Sequence, residues 1–237
     1  MNAAMYKALS GSLVQMMRLE VTAQNLANIN TNGYKSETLT FREILTDVSA
    51  EGDPIGGLVV VDEQRLDLSP GPLEVTGNPL DLALEGEVYF AIETAQGERY
   101  SRLGAFTRSA DGTLVTSLGQ PLLGEGGPIQ IDGTRIDITL EGTVMVDGAE
   151  VDRLRLVQFP HPDEIIREGN SLLRVPDAEP AAPGSFRVIQ GSLEKSNVNP
   201  IQSMVELIDI QRQFEAYQRA LRVMDETTEK VLDAANT

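Results

Sequence analysis

The chain has 237 residues, which at roughly 150 residues per domain allows one or two domains and a sizeable core. It carries 19 Lys and Arg against 36 Asp and Glu, and the formal net charge of −17 argues against nucleic acid or anionic lipid as a general partner. There is no cysteine, which excludes disulfides, thiolate metal sites and thiol catalysis together.

At the N-terminal end Tyr6, Leu9, Leu13, Met16, Ala23 and Ala27 recur at spacings of three and four, with Glu20 the one mismatch, and this predicts a helix. Gly33 after Asn32 supplies its stop, because glycine accepts the left-handed conformation of a C-cap, and a connector starts near Tyr34. A second apolar row, Met5, Met17, Val21, Leu26 and Ile29, lies on the same segment. The first thirty residues lack the basic head, the apolar stretch of ~7–15 residues and the cleavage site of a secretory signal, so any export is expected without cleavage. The longest aliphatic run, Leu58 to Val61, falls far short of the ~20 apolar residues that cross a bilayer, so no membrane insertion is expected.

Residues 35–74 read as an extended connector or hairpin region, with a polar, glycine-containing stretch from Thr46 to Gly57. From 75 to 195 the pattern has period two. Arg135 to Thr139 and Arg153 to Leu156 alternate polar and apolar residues, and Asp111-Gly112, Asp132-Gly133 and Asp147-Gly148 supply turns. An antiparallel β domain, barrel- or sandwich-like with one solvated face, is the expectation, with Pro176 to Gly184 as a loop. Segment 43–194 carries a net −17, against +2 for 1–42 and −2 for 195–237, so the acidic excess falls in the middle. Most glycines and prolines fall there too.

The last segment has the clearest period: Leu207, Ile210, Phe214, Tyr217, Leu221, Met224, Thr228, Val231 and Ala235 form a seam of about four heptads. Asn199 and Pro200 are its N-cap and first helical residue. Such a helix spans roughly 50 Å, more than a cover for a compact β domain needs. The fold class is therefore α+β. Residues 1–34 and 196–237 form a helical coiled-coil polymerisation domain and 75–195 a central acidic β domain.

Pairing the two helices hides one seam on each and leaves other apolar positions, Val205, Ile208 and Val223 among them, for other chains. The expected assembly interface is Leu9, Leu13, Met16, Asn25, Leu26 and Asn28 on the first helix, and Leu207, Ile210, Phe214, Tyr217, Leu221 and Met224 on the second. Gly33 and Tyr34 form the structural turn.

Three stretches carry a resemblance. Ala23-Gln24-Asn25-Leu26-Ala27-Asn28-Ile29-Asn30-Thr31-Asn32-Gly33-Tyr34-Lys35 resembles the N-terminal signature of the flagellar rod and hook proteins, with Gln24 and Tyr34 as departures. Gly191 to Asn199 followed by Gln211 to Glu215 is similar to that family's C-terminal signature, and Thr76 to Gly86 with Tyr100 to Thr107 is similar to its β domain. The short middle region and the opening Met5-Tyr6-Lys7-Ala8-Leu9 look most like a member of the proximal rod, with the distal rod as the close competitor. The resemblance implies a subunit exported through the flagellar type III apparatus without cleavage. Helical assembly into a drive shaft in the periplasm follows from it, with copies of itself, other rod proteins and ring proteins as partners.

No catalytic, cofactor or metal site is expected. His161 is the only histidine and reads as a loop residue between Pro160 and Pro162, without a second histidine for a metal. The carboxylates mark no pair for glycosidic cleavage, no nucleophile or phosphate-loop motif occurs, and Gly124 to Gly127 reads as a strand connector. A peptidoglycan-cleaving enzyme and a monomeric β-domain binding module are the alternatives from other classes.

Overall fold

The computed structural model describes residues 3–46, 55–169, 171–175, 181 and 183–235. The chain begins with α1 (Ala3–Ala27), β1 (Glu37–Thr46), β2 (Ile55–Leu66), β3 (Leu73–Val75), β4 (Leu82–Glu85), β5 (Tyr89–Thr94), β6 (Gly97–Ser101), β7 (Phe106–Arg108) and β8 (Leu114–Thr116). It continues with β9 (Leu123–Gly124), β10 (Gly127–Pro128), β11 (Ile136–Ile138), β12 (Thr143–Val146), β13 (Ala149–Arg153) and β14 (Leu156–Val157). It ends with β15 (Ile166–Gly169), β16 (Leu172–Arg174), β17 (Arg187–Gln190), β18 (Ser192–Glu194) and α2 (Pro200–Ala235). A helix at each end and antiparallel strands between them make an α+β chain. No helix among the described residues is long and apolar enough to cross a membrane.

The residues fall into two compact units. One consists of 1–27, 37–65 and 199–237, and the other of 28–36 and 66–198. The chain therefore passes between them four times. These limits differ from a division at 34, 74 and 196 in two ways. The β1–β2 hairpin groups with the helices, and the short segment 28–36 groups with the strands. The charge follows: with the hairpin's carboxylates on its side the helical unit carries a net −7 and the β unit −10, so the acidic excess is shared. Of the polar stretch expected as a connector, Thr46 and Ile55–Gly57 are strand, and 47–54 lie outside the described residues. Likewise 176–180 and 182 of the expected loop lie outside them.

In the helical unit, Asn199 caps α2 by accepting from the backbone N–H groups of Ile201 at 3.1 Å and Gln202 at 3.2 Å, with Pro200 as first helical residue. Contacts on α2 recede from Tyr217 to Glu206 as α1 advances from Gly11 to Arg18, so the two helices run antiparallel.

In the β unit the strands form several small sheets, of which the largest has the order β14-β5-β6-β16-β15, antiparallel throughout. Its strand β5 is buried on both faces. Phe90 and Ile92 join the main core with Leu82, Phe106, Leu114, Leu122, Ile129, Ile131 and Val144, and Phe90 meets Phe106 edge-on at 5.2 Å. Tyr89 and Ala91 on the other face join Tyr100, Val157, Phe159, Ile165 and Leu173. One wet face was the expectation. The run Tyr89-Phe90-Ala91-Ile92, apolar on both parities, is the reason it fails for this sheet. The turn between β12 and β13 holds Asp147 at φ 51° and Gly148 at φ 84°, as an Asp-Gly hairpin turn requires.

Candidate functional site

The two helices supply the surfaces that the sequence marks for assembly. On α2 the heptad seam is the covered face: Ile210 is 1% exposed, and Leu207, Phe214, Tyr217, Leu221 and Met224 are half-buried. On α1 the covered face is different from the expected row. Ala8, Gly11, Gln15, Thr22 and Asn25, at spacings of three, four, seven and three, are buried. Leu9, Leu13 and Met16 are 57%, 47% and 51% exposed. Small residues bring the helix axes close, and a Cβ added at Gly11 would lie 2.6 Å from Cε1 of the Tyr217 ring. The apolar row of α1 is thus left exposed, and so is a second row on α2, Ile201, Val205 and Ile208. Arg18 pairs with Glu206 at 3.2 Å in the helical unit, with both side chains partly in water.

Asn25, expected on the assembly interface, spends its carboxamide inside the chain. Its Nδ2 donates to the Glu37 carbonyl at 2.8 Å and its Oδ1 accepts from the Glu37 N–H at 2.9 Å, the pattern of one backbone rung at the start of β1. Leu26 is half-buried. Asn28 lies beyond the helix, and its Oδ1 accepts from the Thr31 hydroxyl at 3.1 Å.

Gly33 does not cap α1, which ends six residues earlier at Ala27. The conformation assigned to it is nonetheless present, with φ 66°. It lies in the β unit, its N–H donating to the Glu194 carbonyl at 2.7 Å. Tyr34 is 4% exposed, with the Arg167 guanidinium 4.1 Å from its ring centroid. Arg167 also donates to the Lys35 carbonyl.

Lys35 is the centre of this junction. Its Nζ donates to Glu194 Oε1 at 2.6 Å and to the Ser69 carbonyl at 2.7 Å, and the side chains of Lys35 and Glu194 are 2% and 1% exposed. Glu194 Oε1 also accepts from the Gly71 N–H at 2.9 Å, and its Oε2 faces Arg102 Nη1 at 3.5 Å. Arg102, itself buried, donates to the carbonyls of Leu84 and Gly86 and stands 5.2 Å from the Tyr89 ring centroid. Two cations and one carboxylate are therefore enclosed together. Burial is the largest influence on Lys35 and holds its ammonium below the usual lysine range, against the opposing pull of Glu194. Burial likewise pushes the Tyr89 hydroxyl up to about 12.

The three stretches that carry the resemblance converge on this place. The first brings Gly33, Tyr34 and Lys35, the last brings Glu194 and Asn197, and the middle one brings Arg102. Asn197 Oδ1 accepts from the Ser36 N–H at 2.7 Å, and its N–H donates to the Tyr34 carbonyl at 3.3 Å. Thr76 and Gly77 donate to the Gly191 carbonyl, while Asp81 is buried and accepts from Thr76 Oγ1 at 2.7 Å and Asn78 Nδ2 at 3.0 Å. Sequence reasoning named Gly33 and Tyr34 but missed Lys35, Arg102 and Glu194 as site residues. Their signal was available only as three charged residues inside otherwise apolar or turn-forming motifs.

A cavity of about 310 Å³ opens beside Arg102 and Tyr89, walled by Leu68, Pro70, Phe159 and Ile165. His161 is exposed, its carbonyl accepting from the Glu164 N–H at 3.2 Å in a short 3-10 turn. Among the described residues no cluster of three or more His, Cys, Asp or Glu is placed to hold a metal ion.

Comparison with known proteins follows the same three stretches. The family described as "Flagella basal body rod protein" matches residues 5–35, "Flagellar hook protein FlgE/F/G D1 domain" matches 83–146, and "Flagellar basal body rod FlgEFG protein C-terminal" matches 189–234. The chain is 34% identical over 240 residues to the flagellar basal-body rod protein FlgF of Rhizobium meliloti, covering 98% of each. It is 33% identical over 235 residues to FlgF of Caulobacter vibrioides, covering 97% of this chain and 95% of that one. Similarity to the rod protein FlgG of Bacillus subtilis is 29% over 258 residues, covering 97% and 98%. Likeness at this level along almost the whole length shows that the chain belongs to the flagellar basal-body rod protein family, within which it is FlgF-like.

Proposed function

We propose that this chain is a structural subunit of the flagellar basal-body rod, non-catalytic, assembling helically with copies of itself and with other rod proteins into the shaft that carries torque from motor to hook. The observation that carries the reading is the pair of uncovered apolar rows on the helical unit, Leu9, Leu13 and Met16 on α1 and Ile201, Val205 and Ile208 on α2. Burying one such side chain is worth ~1.5–3 kcal/mol, so rows of this length favour contact with further helices. In this reading the heptad positions Leu207, Ile210, Phe214, Tyr217, Leu221 and Met224 hold α2 in a coiled-coil layer with α1, the uncovered rows meet neighbouring subunits, and the rod lies in the periplasm after export without a cleaved signal. FlgF-like similarity favours the proximal rod, and the weaker FlgG similarity makes the distal rod the second reading.

Leu13→Asp tests it. Leu13 is exposed in the single chain, so the variant should keep the stability of the monomer within about 0.5 kcal/mol. It should fail to enter rods and leave cells non-motile. Normal motility of the variant strain, or a parent protein that stays monomeric at high concentration with both helices protected from protease, would count against assembly through this face.

A further inference from the structure

The buried Lys35, Glu194 and Arg102 come from distant parts of the chain, the first two at a sequence separation of 159. Among the described residues Glu194 is the one carboxylate within ion-pair distance of Lys35, and the same carboxylate faces Arg102. Asp67 also draws on Lys35 electrostatically, but it is exposed and acts more weakly than Glu194. Without Glu194, closing the β unit encloses two cations and no counter-charge, and an uncompensated buried charge is strongly destabilising. The backbone around Glu194 is equally committed to earlier parts of the chain. β18 pairs with β3 and β17 with β4, each in a two-stranded sheet among the described residues, and the Lys195 N–H donates to the Pro72 carbonyl at 2.9 Å.

We infer that this charge triad sets the order of folding: the β unit stays open along 28–36 and 66–193 until Glu194 arrives, and closes once Lys35 and Arg102 share it. Any process in which the N-terminus leads, synthesis included, therefore delivers the two cations first and the carboxylate late. The N-terminal signature supplies Lys35, the C-terminal signature Glu194 and the β-domain stretch Arg102, so neither chain end completes the unit alone.

The charges make an asymmetric prediction for the full chain. Glu194→Gln leaves two cations enclosed, whereas Lys35→Met leaves Arg102 and Glu194 balanced. Amide exchange in β4 and β5 should quicken by about a hundred-fold or more in Glu194→Gln and by about ten-fold or less in Lys35→Met. The double variant Lys35→Met/Glu194→Gln should exchange at least about ten-fold more slowly than Glu194→Gln alone, because one of the two enclosed charges is gone. A packing role without charge coupling instead makes the double variant worse than either single variant, and that result overturns the inference.

The order itself is read by protease digestion of the growing chain stalled on the ribosome. With Leu193 the last residue emerged, the wild type should be cut throughout 66–190, and with Val198 emerged it should resist. Lys35→Met chains stopped at Leu193 should resist at least about ten-fold better than wild type of the same length. Wild-type resistance before Glu194 emerges, or equal sensitivity of the two chains at Leu193, would refute a charge-set order.

Discussion

Replacing Gly33 by alanine places a methyl group where the β unit has backbone. The added Cβ would stand 2.5 Å from the Leu103 nitrogen, 2.6 Å from the Arg102 carbonyl carbon and 2.8 Å from its oxygen. Two costs add. The left-handed conformation at φ 66° costs a residue with a Cβ roughly 1–2 kcal/mol, and forcing a methyl group into packed backbone costs roughly 1–3 kcal/mol more. Gly77 separates them: its φ is 74° but a Cβ there meets nothing within 4 Å, so Gly77→Ala carries the conformational cost alone. In urea titrations followed by amide exchange of β4 and β5, Gly33→Ala should lose about 2–5 kcal/mol and Gly77→Ala about 1–2 kcal/mol. Equal losses in the two variants would show that segment 28–36 is not seated against Arg102 and Leu103.

Asn25→Ala removes both hydrogen bonds to the Glu37 backbone and should lower protection at the start of β1 by about 1–3 kcal/mol, read as faster exchange of the Glu37 amide with α1 otherwise intact. Gly11→Ala gains about 1 kcal/mol of helix propensity but collides with the Tyr217 ring, so the helical unit should show a net loss of up to roughly 2 kcal/mol by thermal circular dichroism. A gain would place Tyr217 away from Gly11. Tyr89 and Tyr100 are both pushed up to about 12 by burial, so the folded chain keeps two protons that the unfolded chain releases near pH 10. That stabilisation is complete below pH 10 and is lost as pH rises toward 12, by up to about 3 kcal/mol per tyrosine. Lys35, held below its usual range, works the other way as pH approaches 10.5. The urea midpoint should fall across pH 10–12, and Tyr89→Phe/Tyr100→Phe should flatten the fall; an unchanged slope would refute the burial argument.

The helices were legible because a seam of period 3.5 and an Asn-Pro cap are local signals; the cap appears where the sequence puts it and the seam is covered from Leu207 to Met224, with the side chains of Thr228, Val231 and Ala235 outside the described residues. The covered face of α1 was not legible, since an apolar row attracts attention while Ala8, Gly11 and Thr22 pack by being small. The stop of α1 at Ala27 was missed for a related reason: Asn28 to Asn32 are turn formers, but Gly33 gave the stronger stop signal and serves the β unit instead. Asp147-Gly148 was readable from the turn chemistry alone. The grouping of the hairpin with the helices and the meeting of Lys35 with Glu194 depend on pairing between distant segments, for which no local pattern exists. Of the candidate interface residues, the α2 set lies on one continuous face, whereas Asn25 is engaged within the chain and the α1 row stands clear of its expected partner.

The β unit is discontinuous in the chain, and this bears on how relatives exchange parts. A pair of crossovers, one at 36/37 and one at 65/66, moves the hairpin between lineages and leaves the unit of 28–36 and 66–198 with one parent. A crossover inside 66–193 hands one parent's Lys35 to the other parent's Glu194, and any drift in the depth or angle of that pair is inherited as a misfitted charge. Recombination among rod genes should therefore leave breakpoints at the hairpin's edges and few within the unit, with the two signatures travelling as one haplotype despite the sequence between them.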